Sequence, residues 1–497
     1  MKKLNRYDLL ALGIILVSTL LSLKRLNIFP VFVDIFYHMS TARGFDIAGG
    51  VVLHDFWEFA PLGRTHLYPP LLHVIMAFMY EFLPMVAVGK IVSFIMFPLV
   101  QLSVFFYARE IFDRKTAFYV VLLITIPFNF YRSQALTNAT SLVLVLTPLI
   151  FWAVEKNKLL SSVILMTLAL YTHISMPHIV GAALLIYAVI NKDKRKMILK
   201  TLSFSYLLFL PWMIHILINY GEMTSETFGT ILQSEIHLIP MFFGFIGLVY
   251  CFLKKKHYYL PAMYFLSMIV ILYKYPMRFW AHIALGISIL GGISLSEIEN
   301  SILRNQKRYG LRIGFVIAVS FLICFNLFDP VFSTTPLGNE FENKDPTILT
   351  LAKGNIAPSL ITPETMDLCR IVESNTEPYE IFFITNPTIG CLITSVTGRS
   401  QMQGMWHEVQ PEMKTPPSAA KLFIADTNFL NEAKKRNPDF LRNLTYVGKT
   451  GRYVIFLQER PITAKSKIPN TVFPKILAYI LLFLSFVGLI IDHRFKL

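Results

Sequence analysis

The chain has 497 residues, 54% hydrophobic and 15% charged, with a formal net charge of +15. A soluble protein carries about a quarter charged residues, and apolar runs recur here from Leu9 to Ile323 with short charged stretches between them. This excludes a soluble α/β chain and indicates a polytopic membrane protein. The positive charge does not point to nucleic acid. Basic residues cluster between apolar runs, at Lys2, Lys3 and Arg6, at Arg109, Arg114 and Lys115, and within 192–200, 254–256 and 304–312, the pattern that keeps loops cytoplasmic.

The first apolar run, 8–23, follows MKKLNRYD without a small-residue cleavage site and is expected to be a retained span. The 24–66 stretch then carries Asp34, His38, Arg43, Asp46, His54, Asp55, Glu58, Arg64 and His66. A loop that only joins two spans needs no such density of titratable groups. Asp34 and His38 are spaced to share a helix face. Asp34 directly follows IFPVFV, so its carboxylate is held near the membrane interface, partly desolvated and suited to a general base. Asp34, Asp55 and Glu58 are the candidate catalytic carboxylates. Together with His38 they also offer a hard, oxygen-rich set for Mg²⁺ or Mn²⁺, with Asp34 the principal ligand and no diagnostic spacing.

Residues 67–83 are apolar but short, open with Pro69-Pro70 and contain Glu81. A full crossing there moves every later basic cluster to the outside, so a partial insertion is expected. Further spans are expected at about 85–108, 116–129, 141–154, 159–175, 177–190, 201–218, 238–253, 258–273, 279–296, 312–328 and 472–491. Lys90 and Arg278 fall at outer span ends, where a cation meets a lipid phosphate or snorkels to the headgroups. His173 and His178 flank Pro177 and are expected to pack or cap. Glu222, Glu226, Glu235 and His237 form a second outer acidic group.

The 329–470 stretch has soluble character. EIFFIT (380–385), KLFIAD (421–426) and YVIFLQ (453–458) predict strands, and ITNPTIGCLITSVTGRS adds a strand, a turn and a short helix. Cys369 and Cys391 lie there as a disulfide or as two thiols. The predicted organisation is an all-α bundle of about 11–13 spans over 1–328, a small extracytoplasmic α/β domain at 329–470, and a last span with a cytoplasmic tail at 471–497. Both termini are expected to be cytoplasmic.

VDIFYHMSTARGF, DFWEFAPLGRTHLYPPLLH, AREIFDRKTA followed by YRSQALTNATSL, and YPMRFW before a span together resemble the GT-C-type glycosyltransferases, over most of residues 1–300. These polytopic enzymes use polyprenyl-phosphate or polyprenyl-pyrophosphate sugars. They include protein O-mannosyltransferases, aminoarabinose transferases and the catalytic subunit of oligosaccharyltransferase. The resemblance implies an inverting transfer from such a donor to a protein, lipid or glycan acceptor at the outer membrane face. It places Asp34 at the family's first-loop aspartate and Arg278, with Lys90, at the donor phosphate. His38, His66, Tyr68, Asn138 and Glu235 are then substrate-binding candidates, with Phe56, Trp57 and Tyr68 offering rings to a sugar face. The family's second acidic position falls on Leu136-Thr137-Asn138. An amide is neither a base nor a metal-binding carboxylate, so another acid compensates, the enzyme works without metal, or the chain is an inactive scaffold. The rival from another class is a transporter or flippase of lipid-linked substrates, which predicts charges at mid-span and related halves.

Overall fold

A computed structural model describes residues 4–23, 26, 29, 33–125, 139–223, 236–254, 258–272, 276–303, 314, 333–334, 359–405, 408–411, 415–436, 442–458 and 464–494. The helices are α1 (Arg6–Leu23), α2 (Asp34–Ala48), α3 (Leu71–Tyr80), α4 (Met85–Ile111), α5 (Arg114–Thr125), α6 (Ala139–Glu155), α7 (Leu159–Leu170) and α8 (Met176–Ile190). They continue with α9 (Lys192–Ile218), α10 (Leu238–Lys254), α11 (Tyr259–Leu272), α12 (Pro276–Leu303), α13 (Pro363–Asn375), α14 (Pro387–Thr397), α15 (Thr427–Arg436) and α16 (Lys475–Arg494). Among the described residues five helices, α1, α4, α9, most of α12, and α16, are long and apolar enough to cross a membrane. The expected span at 312–328 lies outside the described residues.

Buried ion pairs show which helix ends share a face. Asp8, at the start of α1, meets Arg109 at the end of α4 at 2.9 Å and Arg114 at the start of α5 at 3.5 Å. Glu299, near the end of α12, accepts from Tyr7 at 2.5 Å and from Tyr119 of α5 at 3.0 Å. Glu155, at the end of α6, accepts from Tyr187 near the end of α8 and faces Lys194 of α9 at 4.0 Å. Asp492, at the end of α16, accepts from the Ser161 N–H near the start of α7. These contacts bring the basic clusters near Arg6, Arg109–Lys115 and Lys194 together at one end of the bundle. Because α1 leaves that end and α4 returns to it, the stretch between them makes no net crossing. α3, at 10 residues, is about 15 Å long, half a hydrocarbon core. The 67–83 stretch, expected to insert only partly, thus forms a short helix and not a full-length span.

Water does not drive helix association inside a bilayer, so close packing must. α12 packs against α10, α5 and α11, and small residues line its contacts. A Cβ at Gly247 would fall on the Leu290 backbone, and one at Gly292 on Val120. Leu207, Leu208, Leu217 and Ile218 on α9, with Ile476, Phe483 and Phe486 on α16, stand exposed as an apolar outer surface.

At the opposite end sits a five-stranded sheet in the order β7 (Ser400–Gln401), β6 (Ile381–Ile384), β8 (Leu422–Asp426), β10 (Tyr453–Gln458), β9 (Leu444–Thr450). β6 is parallel to β7 and β8, whereas β10 is antiparallel to both of its neighbours. Strand β6 is buried on both faces, which is why it reads as an unbroken apolar run rather than an alternation. Phe382 and Ile384 pack with Leu368 and Cys369 of α13 and Ile389 of α14, while Ile381 and Phe383 pack with Phe423 and Leu430. The three predicted strands all form; β9, with its mixed Leu-Thr-Tyr-Val-Gly-Lys-Thr sequence, carried no clear period. Cys369 and Cys391 are buried free thiols, not a disulfide.

Gly247 tests the close packing. Gly247→Ala should push α10 from α12 and cost about 1–3 kcal/mol, read as a lower melting temperature in detergent. Gly13→Ala, with open space around it, should leave melting unchanged; equal melting of both variants would contradict the packing.

Candidate active site

The 34–80 segment lies at the sheet end of the bundle and is held there by backbone pairing. Strand β1 (Gly50–Val51) pairs with β11 (Phe473–Pro474), directly before α16. Gln401 N–H donates to the Trp57 carbonyl and Ala60 N–H to the Gln401 carbonyl, so residues 57–60 extend the edge of the sheet at β7. α14 packs along α2. α2 also runs so close to Trp57 that a Cβ at Gly44 would fall on the indole ring.

Strands β2 (His54–Asp55) and β3 (Arg64–Thr65) form a small hairpin in which Asp55 and Arg64 lie directly opposite, the geometry that pairs cross-strand charges. Arg64 Nε donates to Asp55 Oδ2 at 3.0 Å, its terminal nitrogens reach Glu58 Oε2 at 3.3 Å and the Val409 carbonyl at 2.5 Å, and its guanidinium lies 5.4 Å from the Tyr37 ring centre. Tyr37 donates to Glu408, the Cys391 thiol donates to Glu58 Oε1 at 2.8 Å, and Gln401 donates to Cys391. His66 Nδ1 lies 2.8 Å from Asp55. Asp55, Glu58, Arg64 and His66 are all at most 2% exposed.

Three carboxyls thus surround one guanidinium out of water. Burial alone would weaken the proton affinity of Arg64, but Glu408, Glu58, Tyr37 and Asp55 outweigh it and hold the group charged. Burial pushes the Asp55 carboxyl up; His66 and Arg64 more than reverse this and keep it below the usual range. For Glu58 burial wins over the Arg64 attraction and raises its carboxyl to about 7. Burial and Glu58 together push the Cys391 thiol up.

Beside this cluster lies a buried cage of rings. His38 Nδ1 and His73 Nε2 share a hydrogen bond of 2.9 Å, and rings of Tyr37, Phe45, His66 and Tyr68 stand within 6 Å of His73. Tyr68 also meets His173 at 5.7 Å, and His66 meets Trp212 at 6.0 Å. Asp34, in the first turn of α2, is half-buried one turn from His38.

The candidates therefore separate. Asp34 is half-buried at the sheet end of the bundle. Asp55 and Glu58, expected as catalytic acids, are both paired with Arg64 and fully buried. His38, His66, Tyr68, Phe56 and Trp57 are buried beside the cluster. Lys90 is half-buried near the start of α4. The backbone of Arg278 lies in the first turn of α12; since the far end of α12 carries Glu299, Arg278 stands at the same bundle end as Asp34. Asn138 and Glu235 lie outside the described residues. Among the described residues no three His, Cys, Asp or Glu side chains are arranged to hold a metal ion, and Asp55 and Glu58 do not fit one because Arg64 occupies them.

No family model and no curated protein matches the sequence. Solved structures do. The archaeal oligosaccharyltransferase AglB from Archaeoglobus fulgidus, in complex with an inhibitory peptide and a dolichol-phosphate, superposes with a TM-score of 0.59 at 13% identity, over 91% of this chain and 75% of that one. ArnT from Cupriavidus metallidurans bound to undecaprenyl phosphate gives 0.57 at 12% identity, over 90% and 97%. A structure of the Archaeoglobus fulgidus enzyme in complex with Zn and sulfate gives 0.58 at 13%, over 90% of this chain and 73% of that one. The chain shares the fold of these AglB and ArnT structures.

Glu58 gives the site a pH signature. An unfolded chain ionises this carboxyl near pH 4.3, so the stability it lends is complete below that pH and is lost as pH rises through about 7. Glu58→Gln should gain on wild type by on the order of 1–3 kcal/mol across that window and run parallel above it. Thermal melts from pH 4 to 9 would show this; parallel curves throughout would contradict it.

Proposed function

We propose that the chain is a membrane glycosyltransferase that moves a sugar from a polyprenyl-(pyro)phosphate carrier to a protein, lipid or glycan acceptor, at the membrane face opposite the basic clusters. The carrying observation is that Asp34 and the Arg278 backbone occupy the same end of a GT-C bundle. Neighbours of that fold were solved with dolichol-phosphate and undecaprenyl phosphate, which supports a lipid-linked donor. The basic end is cytoplasmic in this reading and the sheet end extracytoplasmic.

The donor's tail lies in lipid, which presents its anomeric carbon at the bundle end. Asp34 takes the proton from the acceptor hydroxyl or amide as its oxygen or nitrogen bonds to that carbon from the side opposite the phosphate. The carbon–oxygen bond to the phosphate breaks with inversion, and the leaving phosphate keeps the electron pair. Arg278, with Lys90, neutralises that charge where water is scarce. Asp55, Glu58 and Arg64 fix the wall against which α2 holds Asp34.

Asp34→Asn should lower transfer at least about 100-fold, the scale of a lost general base, with melting unchanged. Proteoliposomes supplied with a radiolabelled polyprenyl-phosphate sugar and an acceptor would measure it. Transfer at the wild-type rate by a folded variant would refute the assignment.

A further inference from the structure

A crevice of about 340 Å³ opens at the carboxyl ends of β6 and β8. From β6 the chain turns through α14 to β7 on one side, while β8 pairs on the other. Connections diverging in this way leave a gap above the strand ends, where open α/β sheets bind ligands. Asp426 ends β8, Thr385 and Asn386 follow β6, and Phe429, Arg452 and Tyr453 complete the lining with Pro387.

The chemistry of the lining excludes a phosphate. Pro387, in the first turn of α14, has no N–H, and the next donors, from Thr388 and Ile389, are already taken by the Asn386 side-chain oxygen at 3.1 and 3.3 Å. The helix end is closed as an anion cradle. The charged pair in the crevice is internally neutral: Arg452 Nε lies 3.2 Å from Asp426 Oδ2. A second Arg452 nitrogen donates to the Tyr453 hydroxyl at 2.9 Å, and the guanidinium lies 5.1 Å from that ring centre. This fixes a carboxylate with lone pairs to spare and a guanidinium with donors to spare, beside the Asn386 amide hydrogens. Phe429, whose ring packs on Phe423 at 6.4 Å, remains 42% exposed and offers an apolar face at the rim of the cavity.

A set of donors and acceptors with no net charge, beside an exposed aromatic face, matches a polyhydroxylated ring. We infer that this crevice binds a neutral sugar unit of a glycan, its hydroxyls on Asp426, Arg452 and Asn386 and its C–H face on Phe429. The transferase reading supplies the source, a glycan on the acceptor or product. α14, which walls the crevice, packs on α2, the helix of Asp34.

The test uses the full chain in lipid nanodiscs and saturation-transfer NMR with maltotriose, mannotriose and chitotriose. At least one should bind, and Phe429→Ala and Arg452→Ala should each weaken it by about tenfold without changing the melting temperature. Asp34→Asn should bind as wild type does, which separates the crevice from the transfer chemistry. Wild-type protein that binds none of the three, or binding untouched by Phe429→Ala, would overturn the inference. If binding fails while wild-type protein still transfers sugar, the crevice assignment falls alone. If binding holds while no transfer is found, the crevice stands and the transferase reading falls.

Discussion

A guanidinium buried among three carboxyls is the constraint on which the sheet end of this protein depends. Removing Arg64 and its partners from water costs several kcal/mol per ion, recovered only when every partner is in place. Those partners come from distant parts of the sequence: Asp55 and Glu58 from the hairpin, Tyr37 from α2, Glu408 and the Val409 carbonyl from the chain after β7. The cluster therefore forms only when the sheet is docked on α2. The excess of acid over base is relieved on Glu58, which keeps its proton to about pH 7 and accepts from Cys391. A cysteine that sequence offers to a disulfide is thus a buried donor to a carboxyl.

The bundle beneath obeys a simpler rule. Charges of the basic loops pair at one end with acids carried on neighbouring helices, and a short α3 keeps the alternation in register. The result leaves the opposite end free for the segment that bears Asp34 and for the start of α12.

Most of the bundle was legible because hydropathy and the lysine and arginine bias are strong local signals. Each apolar run before residue 300 yields a helix, and Pro69-Pro70 with Glu81 foretells the short α3. The parallel strands β6 and β8 were legible as apolar runs, whereas β7, the polar pair Ser400–Gln401, was not. The site was legible only in part. Asp34 follows from its place after IFPVFV, but the pairing of Asp55 and Glu58 with Arg64 depends on a hairpin no local pattern announces. The Val409 carbonyl and Cys391 meet Arg64 and Glu58 across some 330–350 residues, a proximity no helical or strand period encodes. His73 reads as a lone polar residue on an apolar helix, and its hydrogen bond to His38 appears only once α3 lies across α2.

What sugar transfer requires of this architecture is a lipid phosphate seated between Asp34 and the start of α12. The most direct measurement is an electron cryo-microscopy map of the chain in nanodiscs containing a polyprenyl phosphate. Phosphate density flanked by Asp34 and Arg278, with the tail running into lipid, is the predicted result. Density at the basic end of the bundle, or none at the Asp34 rim under saturating lipid, would contradict the account.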